Sequence, residues 1–399
     1  MLQKFTIPAK SFQAIALLFI LITLVATMQA YVLQRKTAPG QKPAYTKYNN
    51  YVIFQRSHFH LLEGKNLYVE YPAEQIDLFK YSPTFAFLFG VLAWFPDWLG
   101  LSLWNLLNTL VFLLAIWYLP APDIRKKALI LLLALPDMVV SLQNSQSNVL
   151  VAGLLILSFG LFEKQRYFLA TLCILTTFYI KIFGIVAILL FLFYPGRMKI
   201  LLYAAVSFLL LGLLPLPLIG LEQLKSSYIQ YFDLLKTDHS VFYGLSVMGW
   251  LKSWFSLDPS KIMVVGSGFL LMFLPLLRYR SLPEYRVRVL LLAAVLIWVV
   301  IFNHRAESPS FIIATSGIYI WLLSFRPRPV EIALLCLVFI FTSLSASNIF
   351  PGHIREDFLE PYVIKAVPCI LVWGKIVVDL YRERGVTRNR APISTLGQS

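Results

Sequence analysis

The sequence predicts an all-α polytopic membrane protein, and its composition and long apolar runs indicate this fold class. Of its 399 residues, 58% are hydrophobic and only 14% are charged. Soluble domains have about 45–50% apolar and about 25% charged residues, so this chain lacks the charge that a water-facing surface needs. Because a crossing helix takes about 20 apolar residues, the hydrophobic fraction suffices for about ten to twelve crossings. A soluble enzyme with a single anchor is therefore excluded.

Thirteen apolar runs are candidate membrane helices. The first, Ser11 to Leu33, follows Lys4 and Lys10 and starts like a signal peptide. It is long and lacks a clean cleavage site, so we interpret it as the first helix. The other runs cover residues 81–97, 101–119, 128–141, 148–162, 167–180, 182–194, 199–220, 260–277, 289–302, 309–324, 330–346 and 361–380.

The basic residues indicate which run does not cross. Cytoplasmic loops carry an excess of Lys and Arg, and the basic clusters fall on alternate loops only if the run 81–97 does not cross fully. We therefore predict about twelve crossings, with 81–97 as a short re-entrant or interfacial helix. The clusters are Arg125/Lys126/Lys127, Lys164/Arg166, Arg197/Lys199, Arg278/Arg280/Arg286/Arg288, Arg326/Arg328 and Arg382/Arg384/Arg388/Arg390.

This topology predicts one transmembrane domain, residues 1–380, in the plasma (inner) membrane, with both termini cytoplasmic and a disordered cytoplasmic tail at 381–399. The first outer segment, 34–100, is the longest, and its stretch 48–79 should form amphipathic helices on the membrane surface. Short runs elsewhere suggest a cavity that opens to the outside or the periplasm. The other outer segments are 142–147, 220–259, 303–308 and 347–360.

Two polar interruptions of the apolar sequence are candidate binding elements. Lys181 separates two apolar runs, and it either marks a turn or binds a lipid phosphate at the outer leaflet. Residues 143–148 are six consecutive polar side chains. Their amides and hydroxyls suit the hydroxyls of a sugar, with Asn144, Gln146 and Asn148 as the binding residues; the alternative is an ordinary capped turn.

The short segment 303–309 combines a base, a cation and an acid. Arg305 would clamp a phosphate, while His304 or Glu307 would move or orient a proton. The alternative is a solvated loop whose Arg–Glu pair contributes little.

The first outer segment also contains candidates for acid–base chemistry. Among its acids, Glu70 and Asp77 are candidate bases, although each taken alone is more typical of a solvated charge. Lys80 is a candidate phosphate ligand, and Tyr81 is a candidate sugar or acceptor contact. A carboxylate can accept the proton of an acceptor hydroxyl, and a nearby cation can stabilise a departing phosphate.

The sequence contains no phosphate-binding loop, dinucleotide fingerprint or metal-binding motif. Its three cysteines lie in apolar runs without zinc-ligand spacing. We therefore expect no cofactor and no metal. The net charge of +15 reflects cytoplasmic loops rather than nucleic-acid binding.

Four pieces of sequence, in order, carry a family resemblance. They are Leu62–Tyr68 (Leu-Glu-Gly-Lys-Asn-Leu-Tyr), Lys80–Pro83 followed by Trp104, the break Asn144–Asn148, and Lys181 after an apolar helix. Together they resemble the lipid-sugar-dependent membrane glycosyltransferases, in particular the polyprenyl-phosphate-mannose-dependent α-mannosyltransferase family of mycobacterial type.

The resemblance implies a GT-C-class fold and a hexosyltransferase that inverts the anomeric centre in one displacement. The donor would be a polyprenyl-phosphate sugar, with mannose as the implied hexose, and the acceptor a membrane glycolipid or glycan. By position, the general base of the family falls at Asn49 or Asn50, and an asparagine cannot accept the proton. The glycine of the family's Gly-Gln break is Ser145 here, while its amide, Gln146, is kept.

The missing acid leaves three interpretations. The base has moved to Glu70, Asp77 or Glu307, with Asp77 first because it lies close to Lys80 and the membrane; or the alignment is shifted; or the chain is a scaffold that binds without catalysing.

Two different functions also stay open. The first is a transporter or flippase of lipid-linked sugars, which the lack of visible inverted repeats disfavours. The second is a ligase of lipid-linked glycans, but in such proteins the largest outer loop lies late in the chain, whereas here the first is the longest.

Overall fold

The computed structural model of the chain describes residues 10–33, 46–237, 243–278, 284–346 and 349–383. Within these ranges the fold is helical and contains no β-strand, which confirms the all-α class. The α-helices are α1 Lys10–Val32, α2 Asn49–Leu62, α3 Pro83–Ala93, α4 Asp97–Tyr118, α5 Ile124–Gln143, α6 Asn148–Glu163, α7 Tyr167–Ile180, α8 Arg197–Leu213, α9 Leu216–Thr237, α10 Val247–Phe255, α11 Lys261–Phe273, α12 Tyr285–Ile301, α13 Phe311–Ser324, α14 Pro329–Leu337, α15 Gly352–Ile354 and α16 Val367–Arg382. Segments of 3₁₀-helix cover Ile182–Phe193, Leu274–Arg278 and Ser308–Ser310, and π-helical turns cover Val338–Ser343 and Arg355–Leu359.

Two of the described helices are long and apolar enough to cross a membrane alone, Phe12–Val32 and Asp97–Tyr118. The pair α8 and α9 would add a third if it is one bent span. Further apolar helices have 10–17 residues, so at 1.5 Å per residue they rise about 15–25 Å, less than the roughly 30 Å of the hydrocarbon layer. The number of twelve crossings stays a prediction.

Several predicted helices have different geometry in the structure. The sequence predicts one crossing over 199–220, but the helix axis turns by 92° between α8 and α9. Pro215 and Pro217 lie at this bend, and proline cannot continue the hydrogen-bond pattern of a helix. The run 182–194 is a 3₁₀ segment, and in the run 361–380 the helix begins only at Val367.

The segments flanking the bundle also differ in part from the expectation. The run 81–97 contains α3, whose 11 residues rise only about 16 Å, a length suited to the predicted re-entrant or interfacial helix. In the stretch 48–79 only α2 is helical. The last helix ends at Arg382, two residues into the predicted tail, and residues 1–9 with Lys4 and 384–399 with the remaining arginines of the tail lie outside the described residues.

Helices α12 and α13 pack against each other within a core to which most of the described helices contribute. Every residue of 289–301 and of 311–323 is buried. Helices that are apolar on all sides are typical of such a central position. By contrast, α1 exposes leucine and valine side chains along one face, as expected for a helix at the periphery of a membrane protein.

Helices α4 and α6 approach each other closely at Gly153. A Cβ atom at this position would lie 2.9 Å from the backbone nitrogen of Phe112. Small residues permit such close packing between membrane helices. The contact brings the start of α6 next to the polar side chains of α4.

A buried ion pair joins α5 to the turn before α16. The Lys365 ammonium lies 3.4 Å from Asp137 Oδ1, and the two side chains are 5% and 0% exposed. Ser343 donates to Asp137 Oδ2 at 2.6 Å, and Lys365 donates to the carbonyl of Thr342 at 2.9 Å. Because each charge is partnered, the desolvation cost of both is offset.

We expect Asp137→Asn to lower the free energy of unfolding by about 3–5 kcal/mol, because the Lys365 ammonium stays buried without a counter-charge. Thermal unfolding in detergent micelles measures the effect. The double variant Asp137→Asn/Lys365→Met should recover most of the loss. A double variant as unstable as the single one would contradict the charge argument.

Candidate active site

A cavity of about 1130 Å³ lies where the ends of several helices meet. Part of its lining is apolar and part is polar, which suits a ligand that has an apolar and a polar end. The lining residues come from the end of α1, residues 46–53, the loop 76–81, the break 143–146, Lys181–Phe183, the end of α9, Lys261 and the segment 303–310.

The break between α5 and α6 forms one wall of this cavity. Ser145 has a positive φ of 53°, and the chain turns here between the two helices. Side chains of α4 hydrogen-bond the backbone of the break and of the first turn of α6. Trp104 Nε1 donates to the carbonyl of Ser145 at 3.0 Å, and Asn108 Oδ1 accepts from the nitrogen of Leu150 at 2.9 Å. Buried polar groups cost free energy unless they are hydrogen-bonded, so these contacts fix the break in the interior.

A chain of hydrogen bonds runs from the break to both charged ends of the cavity. Lys181 Nζ donates to Asn148 Oδ1 at 2.5 Å, and Asn148 Nδ2 donates to Gln146 Oε1 at 2.5 Å. Gln146 Nε2 then donates to Glu307 Oε2 at 2.9 Å. Two neutral amides thus hold a cation and a carboxylate in one cavity without direct contact between the charges.

Asp77 and Lys80 form a separate pair. Lys80 Nζ lies 2.8 Å from both carboxylate oxygens of Asp77, and the backbone nitrogen of Leu78 donates to Oδ1 at 2.7 Å. The pair is partly exposed, 56% for Asp77 and 36% for Lys80. The carboxylate of Asp77 is therefore already engaged by an ammonium and a backbone N–H.

Asn49 and Asn50, where the resemblance would put the general base, form hydrogen bonds with neighbouring backbone. Asn50 Nδ2 donates to the carbonyl of Asn144 at 2.9 Å, and Asn49 Oδ1 accepts from the nitrogen of Ile76 at 3.2 Å. A carboxylate at position 50 would have no proton for the carbonyl of Asn144. The amide therefore links the start of α2 to the break.

His304 is buried at the cavity wall. It is 7% exposed, and neither ring nitrogen has a hydrogen-bond partner among the described residues. Burial, assisted by the positive charge of Lys261, lowers the pKa of His304 to about 4, so the imidazole is neutral at physiological pH. Arg305 lines the same cavity, and its backbone nitrogen donates to Asn303 Oδ1 at 3.1 Å.

The segment after α9 holds this loop in place. Gly244 N donates to the carbonyl of His304 at 2.7 Å, and Leu245 N donates to the carbonyl of Ala306 at 2.8 Å. A Cβ atom on Gly244 would lie 2.4 Å from the Ala306 oxygen, a distance that side-chain carbons do not tolerate. Glycine at 244 therefore permits the backbone pairing that positions His304 and Glu307.

Most of the site residues predicted from sequence meet in this cavity. Glu70 does not line it, and Asn148 lies behind its wall, where it is fully buried and bonds to two lining side chains. The predicted residues in the lining are Asn50, Asp77, Lys80, Tyr81, Asn144, Gln146, Lys181, His304, Arg305 and Glu307.

Sequence reasoning missed two lysines of the lining, Lys47 and Lys261. Lys261 is the first residue of α11 and follows the N-cap Ser260, within a run that the sequence predicts as an apolar helix. The helix dipole disfavours a cation at a helix N-terminus. The lysine at the start of this predicted helix was therefore a signal that the sequence contained. Lys47 gave no comparable signal.

The chain belongs to glycosyltransferase family 87, whose model matches residues 79–325. This membership confirms the prediction of a membrane glycosyltransferase. Among solved structures, the crystal structure of ArnT from Cupriavidus metallidurans bound to undecaprenyl phosphate is similar, with a TM-score of 0.42 and 14% identity over 92% of this chain and 76% of that chain. No curated protein matches the chain significantly.

We expect Gly244→Ala to reduce sugar transfer by about a hundredfold, because the added methyl group displaces the 304–306 backbone and shifts of about 1 Å near a reaction centre have this effect. Initial rates on membranes with equal amounts of protein measure it. Gly266→Ala in α11 is the matched control, since a Cβ there meets no atom within 4 Å. Equal rates in the two variants would show that the backbone pairing does not position the loop.

Proposed function

We propose that the chain transfers a hexose, with mannose as the first candidate, from a polyprenyl-phosphate sugar to a glycolipid or glycan acceptor at the outer face of the membrane. The observation that carries the proposal is the hydrogen-bonded chain Lys181–Asn148–Gln146–Glu307 in one cavity. It provides a cation for a phosphate and a carboxylate for a proton, the two groups that glycosyl transfer from a lipid phosphate needs.

The donor suits the mixed lining of the cavity. Lys181 is followed directly by Ile182 and Phe183, and Leu234 and Leu235 of α9 add apolar surface. An ammonium next to apolar side chains matches a phosphate joined to a prenyl chain, which would enter from the bilayer. The donor then supplies its own leaving group, and no metal or nucleotide is required.

Glu307 is the best candidate for the general base. Glu70 lies outside the cavity lining, and Asp77 is already neutralised by Lys80. Asn50 carries no basic group. Glu307 accepts one hydrogen bond, from the neutral amide of Gln146, and its carboxylate retains capacity to accept a proton.

The reaction would be a single displacement. Glu307 accepts the proton of the acceptor hydroxyl, and that oxygen forms a bond to the anomeric carbon. The bond between the anomeric carbon and the phosphate oxygen breaks, and the electron pair leaves with the phosphate, whose added charge Lys181 stabilises. Attack opposite to the leaving group inverts the anomeric centre.

The basic clusters of the sequence support the orientation. With Lys and Arg on the cytoplasmic side, the break, Lys181 and the segment 303–308 all fall on the outer side, and both termini face the cytoplasm. A transporter or flippase of lipid-linked sugars would use the same cavity and cations without a base.

We expect purified protein in lipid to transfer mannose from polyprenyl-phosphate mannose to a glycolipid extract of the host and not from GDP-mannose, because the cavity offers a lipid-phosphate site and the sequence no nucleotide motif. Mass spectrometry of the products measures transfer. Donor binding without transfer would favour a flippase, and transfer from GDP-mannose would contradict the proposed donor.

We expect Glu307→Gln to lower kcat by about 10²–10⁴-fold, the usual contribution of a general base. The donor KM should change little, because glutamine still accepts the hydrogen bond from Gln146. Asp77→Asn is the matched comparison, and it should reduce kcat far less. The reverse order of the two variants would assign the base to Asp77.

A further inference from the structure

The lining of the cavity has more positive charge than the donor requires. Among the described residues, five cationic side chains and two carboxylates line it, Asp77 and Glu307 being the acids. Even without Arg305, four cations face two acids. A phosphodiester donor brings one negative charge, so the cavity still has at least one positive charge in excess.

Lys181 and Lys261 have different neighbours among the residues that line the cavity. Lys181 is bonded to Asn148, and its electrostatic partner in the cavity is Glu307. His304 instead has Lys261 as its charged neighbour. No carboxylate pairs with Lys261 among the described residues. We call the part of the lining that contains Lys261 and its neighbour His304 the Lys261 corner.

His304 provides a second, independent observation at the Lys261 corner. The residue is 7% exposed, and both buried ring nitrogens lack a hydrogen-bond partner among the described residues although the residue lines the cavity. A buried polar group without a partner is energetically costly, so such groups are usually satisfied by a ligand or by water. A neutral imidazole donates one N–H, which an oxyanion accepts.

We infer that the corner formed by Lys261, His304 and Arg305 binds a phosphate or carboxylate of the acceptor, so that the acceptor is an anionic glycolipid or glycan. The inference rests on the proposed transfer reaction. His304 and Glu307 are three residues apart in the sequence. One loop would then contain both the group that binds the anion of the acceptor and the base that accepts the proton of its hydroxyl. The pairing of this loop with Gly244 and Leu245 fixes their spacing.

The first experiment labels the products and separates them by charge. Polyprenyl-phosphate mannose with a radiolabelled sugar is incubated with the protein and the host's glycolipids, which anion exchange has divided into neutral and anionic fractions. We expect label in products of the anionic fraction. Label only in neutral products would overturn this inference while leaving the proposed function intact, whereas no label in either fraction would overturn both.

The second experiment tests whether the Lys261 corner binds the acceptor or the donor. With the anionic fraction as acceptor, Lys261→Met should raise the acceptor KM by about tenfold to a hundredfold, as for loss of one hydrogen bond between charged groups, and leave the donor KM unchanged. Lys181→Met should raise the donor KM instead.

Lys261→Arg should recover most of the activity that Lys261→Met loses. Lys252→Met is the control, since Lys252 pairs with Asp258 outside the lining. A rise in the donor KM with Lys261→Met would mean that this corner binds the donor phosphate and would overturn the inference.

Discussion

The hydrogen bonding of the break between α5 and α6 is the constraint on which the cavity depends. A run of six polar side chains is costly among apolar helices unless its groups are bonded. Trp104, Asn105 and Asn108 of α4 form hydrogen bonds with the backbone in and beside this run, at Ser145, Leu142 and Leu150 respectively. The close contact of α4 and α6 at Gly153 brings them within reach. Gln146 is thereby held at the wall, where it joins the cationic and the acidic side.

The charges of the protein are partnered in two different ways. Asp137 and Lys365 are in direct contact in the interior, and Asp77 and Lys80 are in direct contact near the surface. Lys181 and Glu307 are instead separated by two amides. In the two direct pairs each charge has its counter-charge as a neighbour, whereas Lys181 and Glu307 each have a neutral amide as the neighbouring group.

The neutral state of His304 fits this arrangement. A protonated imidazole next to Lys261 would add like charge in a buried position, and both burial and Lys261 oppose it. The backbone of the loop that contains His304 is held by hydrogen bonds from residues 244 and 245. The position of the loop thus depends on residues 244 and 245, whereas the charge state of the His304 imidazole depends on its burial and on Lys261.

The amino-acid sequence by itself determined the all-α class, the first helix, the polar break and ten of the residues that line the cavity. It could do so because apolar run length and uncompensated polarity are local properties that the membrane interior makes costly. Only the tertiary structure decided that Asp77 is paired with Lys80, that Gln146 reaches Glu307, and that Lys261 belongs to the cavity. Each of these results depends on contacts between side chains in the folded chain. The spacing of residues along the chain does not specify which side chains meet.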